Sequence, residues 1–201
     1  MPSRRVLVPL LVLALAAALY LWSPSEAPIV EVPDDVNACA TNLRAIYAGL
    51  MEAHARDGGV PTGAGIAFFG ALIADGTWED TPANRARLTC PGPRAEAVPP
   101  GLDFRASALP PAASAYAGRD TARFPLTKFP SGGAELEPLI ACDNAHGLNH
   151  EGCMNVLFSD GSVVTLLLEQ EIERGIVAPG TTTLVVGPDS PVPELRKLVG
   201  D

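Results

Sequence analysis

The stretch that decides the fold is Asn155-Val-Leu-Phe-Ser-Asp-Gly-Ser-Val-Val-Thr-Leu-Leu167. It contains two apolar runs that are separated by Asp160-Gly161, and this dipeptide between apolar runs is the strongest short-range signal for a β-hairpin. The sequence therefore predicts two antiparallel strands, at 155–159 and 163–167. Asp160 and Gly161 are assigned to the turn, where the pair favours the left-handed backbone of a tight hairpin.

A long helix is predicted upstream of this hairpin, over residues 36–56. Its buried face is indicated by apolar residues at spacings of three and four, namely Cys39, Leu43, Ile46, Leu50 and Ala53. Asp34 and Asp35 precede the helix and are predicted to cap it, because carboxylates satisfy the free N–H groups of a first turn.

The remaining elements are shorter. Helices are predicted at 66–74, 168–174 and 193–199, further strands at 114–118, 139–143 and 181–186, and a loop over 77–112. A helix followed by a small antiparallel sheet is an α+β order, with the long helix packed across one face of the sheet.

The N-terminus carries Arg4 and Arg5 before an uncharged apolar run, Val6 to Trp22. We interpret residues 1–22 as a transmembrane anchor, with the positive charges on the cytoplasmic side. A cleaved signal peptide is the competing interpretation, and both export residues 29–201. Residues 23–33 form a Pro-rich linker, and 34–201 form the exported domain. The predicted location is the inner membrane, single-pass, with the C-terminal domain extracytoplasmic.

The formal net charge of −9 argues against nucleic acid as a partner, because phosphate binding requires a basic surface. The glycine pairs at 58–59 and 132–133 lack the Gly-Lys-Ser/Thr that a phosphate-binding loop needs.

Four cysteines lie in the exported part: Cys39, Cys90, Cys142 and Cys153. They are candidates for disulfides, because disulfides persist outside the cytoplasm. Three connectivities are open, and we favour Cys39–Cys90 with Cys142–Cys153. Four buried thiols are the alternative. The spacing does not predict a zinc site, because no two cysteines are separated by only two to four residues.

His150 is followed by nine residues and then by Asp160-Gly161. This pattern resembles the prepilin-type processing-associated H-X9-DG domain of bacterial type II secretion and pseudopilin-like proteins. Segments 39–46, 88–91 and 114–118 resemble the family's first helix, its Cys-Pro loop and a strand. The resemblance implies a pilin-like domain. The prepilin cleavage motif of many relatives is absent from this sequence, and polymerisation is not predicted.

A second candidate site is the loop 143–151, which holds Asp143, His146 and His150 with Glu151 beside them. Two imidazoles and a carboxylate predict a divalent metal ion of the zinc type. The alternative is that these side chains only hydrogen-bond the loop backbone. Asp160 is not included, because it should lie at the far end of the strand from His150.

The leading functional hypothesis is a non-enzymatic, membrane-anchored envelope protein that acts through contacts with other envelope or secretion proteins. The alternative is an extracytoplasmic module that binds a metal ion or ligand through the 143–151 loop. A third hypothesis, a hydrolase, is supported only by the presence of His, Asp and Ser residues in the C-terminal half. Ser159 and Ser162 lack the Gly-x-Ser-x-Gly elbow of that class.

Overall fold

A 24-residue helix, α1 (Asp34–Asp57), opens the described part of the chain in a computed structural model. The structure describes residues 33–200 except 96, 107–108, 111–112, 132–135 and 145–148. The chain divides into two units after residue 31, and every described residue belongs to the second unit.

The buried face of α1 contains all five apolar residues expected from their spacing. The helix ends at Gly58, whose φ of 74° is the left-handed conformation that glycine adopts readily, and whose N–H bonds to the His54 carbonyl. The predicted acidic cap is wrong, because Pro33 holds the N-cap position and no side chain caps the helix. Asp35 instead bonds to His150.

Three further α-helices and one 3₁₀ helix lie in the described residues. They are α2 (Ile66–Ala74), α3 (Pro82–Arg87), α4 (Leu168–Glu173) and the 3₁₀ helix Pro193–Lys197. Helix α3 falls inside the predicted loop 77–112. Its N-terminus has a local signal, because the Thr81 hydroxyl accepts a hydrogen bond from the Asn84 N–H and proline follows directly.

The sheet has five antiparallel strands among the described residues, in the order β4-β3-β2-β1-β5. They are β1 (Tyr116–Arg119), β2 (Pro138–Cys142), β3 (Cys153–Phe158), β4 (Val163–Leu167) and β5 (Leu198–Val199). Residues 181–186, predicted as a strand, form none. The edge beside β1 is taken by β5, which lies inside the predicted terminal helix.

The β3–β4 hairpin confirms the prediction from Asp160-Gly161. The Asp160 carboxylate accepts hydrogen bonds from the Ser162 N–H at 2.8 Å and hydroxyl at 2.6 Å. Gly161 has a φ of 85°, and a Cβ there would lie 2.6 Å from the Tyr47 ring of α1. Only glycine fits this turn, both for its backbone and for the close approach of the helix.

Helix α1 is fastened to the sheet by a buried amide as well as by apolar packing. Asn155 of β3 is fully buried, and its Nδ2 donates to the Val36 carbonyl at 2.8 Å. Its Oδ1 accepts from the Thr165 hydroxyl of β4 at 2.7 Å. Because an unpaired buried amide is costly, these bonds fix the position of the start of α1 on the sheet.

The predicted fold class, a membrane-anchored pilin-like domain, requires correction. The structure shows a five-stranded antiparallel sheet with four α-helices in its described part. No helix in that part is both long enough and apolar enough to cross a membrane. The predicted anchor at 6–22 lies outside the described residues. A single-pass protein of the inner membrane is therefore not supported.

A charged cluster joins β1, the start of β2 and the 3₁₀ helix. Arg119 is 1% exposed, and its guanidinium donates to the carbonyls of Phe124 and Pro138 and to the Glu137 carboxylate. Lys197 donates to the same carboxylate at 2.6 Å. Burial raises the pKa of Glu137, but these two cations outweigh it and leave the pKa below its ordinary value of 4.5.

We expect Glu137→Gln to lower the free energy of unfolding by about 2 kcal/mol, because it leaves the buried Arg119 without a counter-charge. Since the folded-state pKa is lowered, the difference should be complete above pH 4.5 and shrink as the pH falls through the folded value. Urea unfolding across this pH range measures it. Glu52→Gln, an exposed site on α1, is the control. Equal stability of the two variants would contradict the prediction.

Candidate metal centre

Three cysteines and one histidine converge in the interior. The Sγ atoms of Cys39, Cys90 and Cys142 and a ring nitrogen of His150 all lie within 4.8 Å of one another. Each comes from a different segment: Cys39 from α1, Cys90 from the loop after α3, Cys142 from the last position of β2, and His150 from the loop before β3.

One separation is close to that around a tetrahedral metal ion, and the other two are shorter by about 0.4 to 0.6 Å. Cys39 Sγ lies 3.2 Å from Cys142 Sγ, Cys142 Sγ lies 3.9 Å from Cys90 Sγ, and Cys90 Sγ lies 3.1 Å from His150 Nε2. A zinc ion with bonds of ~2.3 Å to sulfur and ~2.0 Å to nitrogen would hold two sulfurs about 3.8 Å apart and a sulfur and a nitrogen about 3.5 Å apart.

All four ligand residues are buried. Cys39 and Cys142 are 0% exposed, and Cys90 and His150 are each 2% exposed. Polar groups gathered in the interior need partners, and here the four side chains face one another.

A second set of groups contacts three of these side chains. The Asp35 carboxylate lies 2.6 Å from His150 Nδ1, which leaves Nε2 directed at the cysteines. The Tyr116 hydroxyl lies 3.5 Å from Cys39 Sγ, and the Gly92 N–H donates to Cys90 Sγ at 3.4 Å. Carboxylate partners of this kind fix the tautomer and direction of a ligating histidine, and N–H donors stabilise thiolates.

Asn149 fixes the loop that carries His150, and its backbone lies against the loop that carries Cys90. Its Nδ2 donates to the carbonyls of Ala115 and Asp143, and its N–H donates to Asn144 Oδ1. Gly92 lies against the Asn149 backbone so closely that a Cβ at residue 92 would overlap the Asn149 carbonyl oxygen. The ligand positions therefore depend on a glycine two residues after Cys90.

Without metal, the cluster favours a negatively charged Cys39 and a positively charged His150. The pKa of Cys39 lies well below its ordinary value, because Cys142 and Cys90 hydrogen-bond its sulfur. Burial alone would lower the pKa of His150, but its bonds to Cys39, Cys90 and Asp35 raise that pKa to about 11. Burial raises the pKa of the Cys142 thiol. Thiolates are the form that binds metal, and Cys39 is the first to reach it.

Neither favoured disulfide is formed, and all four cysteines are free thiols in the structure. The expected pairings fail because Cys142 faces Cys39 at 3.2 Å rather than Cys153. The thiol of Cys153 is also buried, but it does not belong to the converging cluster. The alternative of four buried thiols describes the cysteines better.

The metal site expected in loop 143–151 is only partly reproduced. His150 belongs to the cluster, whereas Asp143 does not; its N–H bonds to the Ala115 carbonyl, and its carboxylate lies against Gly200. His146 lies outside the described residues. Asp160 and Gly161 occupy the hairpin turn at the opposite end of β3 from His150.

The three cysteine ligands were missed because the spacing rule looks for ligands in close pairs along the chain. Here each segment supplies one ligand, so only the tertiary fold brings them together. The usable sequence signals lie far apart: Cys39 on the predicted buried face of α1, the Cys90-Pro91-Gly92 segment, and His150 before the predicted hairpin. Nothing in the sequence alone joins them.

Comparison with known protein families, curated proteins and solved structures found no match for this chain. The resemblance to the H-X9-DG domain family, and the role in protein contacts inferred from it, therefore stay predictions from the sequence.

We expect Gly92→Ala to lower the free energy of unfolding by about 2 kcal/mol, because the added methyl group overlaps the Asn149 carbonyl and forces the two ligand loops apart. Chemical denaturation of the full-length chain measures this. The matched control is Gly101→Ala, where an added Cβ meets nothing within 4 Å. The role of Gly92 would be refuted if both variants unfolded at the same denaturant concentration.

Proposed function

We propose that this protein binds one zinc ion through Cys39, Cys90, Cys142 and His150, and that the ion serves a structural, non-catalytic role. The observation that carries this proposal is the convergence of four buried ligand atoms within 4.8 Å. The four residues come from four separate segments of one fold, so a single ion would link all of them.

The donor set favours zinc. Soft thiolates and an imidazole suit zinc, whereas calcium and magnesium prefer oxygen ligands. Three cysteines with one histidine is a common ligand set of structural zinc sites. The Asp35 carboxylate on His150 Nδ1 supplies the outer partner that such a histidine usually has.

The number of ligands favours a structural role over a catalytic one. Catalytic zinc sites keep three protein ligands and leave the fourth position to water or substrate. Four protein side chains fill a tetrahedral shell, and all four are at most 2% exposed. A bound ion would therefore have no position for substrate.

The ion would stabilise the fold by joining parts of the chain that are far apart in sequence. Cys39 and Cys142 are separated by 103 residues, and Cys90 and His150 by 60. Because the unfolded chain has no preformed site, the binding free energy adds to the stability of the folded state.

Purified full-length protein should contain one zinc per chain by elemental analysis and native mass spectrometry. Removing the ion with a chelator should lower the melting temperature by about 10 °C or more, since several kcal/mol of binding free energy is lost. Cys90→Ser should reduce zinc content, whereas Cys153→Ser, a buried cysteine outside the cluster, should retain one ion.

A protein that takes up no zinc, or a Cys153→Ser variant that loses zinc as fully as Cys90→Ser, would rule out this assignment of the ligands.

Asp35→Asn should weaken zinc binding by about 10- to 100-fold, because the amide no longer supplies the charge that orients His150 and increases its basicity. Asp34→Asn is the matched control. It lies in the same first turn of α1 and has the same effect on the helix dipole, but it is exposed. Competition with a chromophoric chelator measures both affinities, and an equal loss in the two variants would remove Asp35 from the site.

A further inference from the structure

We infer that the zinc centre is also an oxidation-sensitive switch, in which a peroxide joins Cys39 to Cys142 in a disulfide and expels the ion. This inference rests on the proposed function, because it concerns the regulation of the same site.

The distance between Cys39 and Cys142 carries the inference. Their Sγ atoms lie 3.2 Å apart, which is shorter than the ~3.8 Å between two sulfurs on one tetrahedral zinc. A disulfide needs a separation of ~2.05 Å, so the two sulfurs must approach by only about 1.2 Å. Cys90 lies farther from Cys142, at 3.9 Å. The Cys142 sulfur is therefore closer to Cys39 than to Cys90.

The route of the oxidant is set by burial. Cys39 and Cys142 are 0% exposed, whereas Cys90 lies in the wall of a cavity of about 710 Å³ together with Pro91, Gly92 and Val98. Cys90 lines this cavity whereas Cys39 and Cys142 do not, so a peroxide that enters it reaches Cys90 before the other two cysteines. A bulky disulfide oxidant would have to reach sulfurs that have no exposed surface.

The chemistry proceeds from Cys90 through Cys142 to Cys39. The Cys90 thiolate attacks the peroxide, the O–O bond breaks, and a sulfenic acid forms at Cys90 while one hydroxide leaves. The Cys142 thiolate attacks the Cys90 sulfur and displaces a second hydroxide. Cys39 then attacks the Cys142 sulfur, which forms the final disulfide and returns Cys90 to a thiolate.

The overall reaction is balanced. Two sulfurs each lose one electron, and hydrogen peroxide takes up these two electrons to leave as two hydroxide ions, which take protons from the solvent to become water. Zinc leaves because the sulfurs of a disulfide are no longer thiolates, and thiolates are the form that binds the ion. The shell then retains only Cys90 and His150.

The oxidised form keeps part of the fold tied together. The Cys39–Cys142 disulfide joins α1 to the end of β2, so the long helix stays on the sheet. The loops that carry Cys90 and His150 lose their common ion and are held only by contacts such as those of Asn149 and Gly92. Oxidation thus loosens two loops while the core remains closed.

The test uses purified full-length protein whose zinc content is measured first. Hydrogen peroxide is added, zinc release is followed with a chromophoric chelator, and disulfides are mapped by mass spectrometry without reduction. We expect one zinc released for each Cys39–Cys142 disulfide, with zinc binding restored by a thiol reductant and added zinc. Cys153→Ser should behave like the unmodified protein.

The outcomes separate the two proposals. Absence of zinc before peroxide is added overturns the proposed function and the switch with it. Zinc present at the start but retained after oxidation, or released with a disulfide to Cys153 or with sulfinic acids only, overturns the switch and leaves the zinc site standing.

Discussion

The close approach of Cys39, Cys90, Cys142 and His150 is the constraint to which the rest of the structure is fitted. Helix α1 must place Cys39 over the end of β2, and two loops must meet above that point. The tight contact between Gly92 and the Asn149 backbone follows from this meeting. Three thiols and an imidazole could not be buried together without hydrogen bonds or a metal ion, because buried polar groups require partners.

Buried polar residues outside the cluster serve the same arrangement. Asn155 fixes the start of α1 on β3, and this sets the position of Asp35 beside His150. Asn149 holds the ends of the loop 143–150 close to β1. Arg119 and Glu137 join β1 to β2, the strand that ends in Cys142. Each of these groups specifies one register or one helix position, which apolar packing alone would define less sharply.

Local sequence signals predicted the elements better than the site. The β3–β4 hairpin and α1 were accessible because their signals, Asp160-Gly161 and the repeat that includes Leu43 and Leu50, lie within one turn or one helix face. Strand β5 was missed because two residues carry no periodicity, and because its partners in β1, Gly118 and Arg119, lie far from Val199 and Leu198 in the sequence. The metal cluster was missed for the same reason: its ligands meet only through tertiary contacts, and disulfide pairing was assumed for cysteines that the fold keeps as thiols.

Strand β3 separates His150, at the buried cluster, from Asp160 and Gly161, which turn beneath Tyr47 at the other end of the sheet. The number of residues between His150 and Asp160 is therefore constrained, because contacts fix the chain at both ends of this segment. Side chains alternate along a strand, so one inserted residue would reverse the face of every side chain beyond it. An insertion between His150 and Asn155 would turn the Asn155 side chain away from α1 and break its bond to the Val36 carbonyl. The nine-residue spacing thus keeps the buried cluster and the contact between helix and sheet compatible with each other.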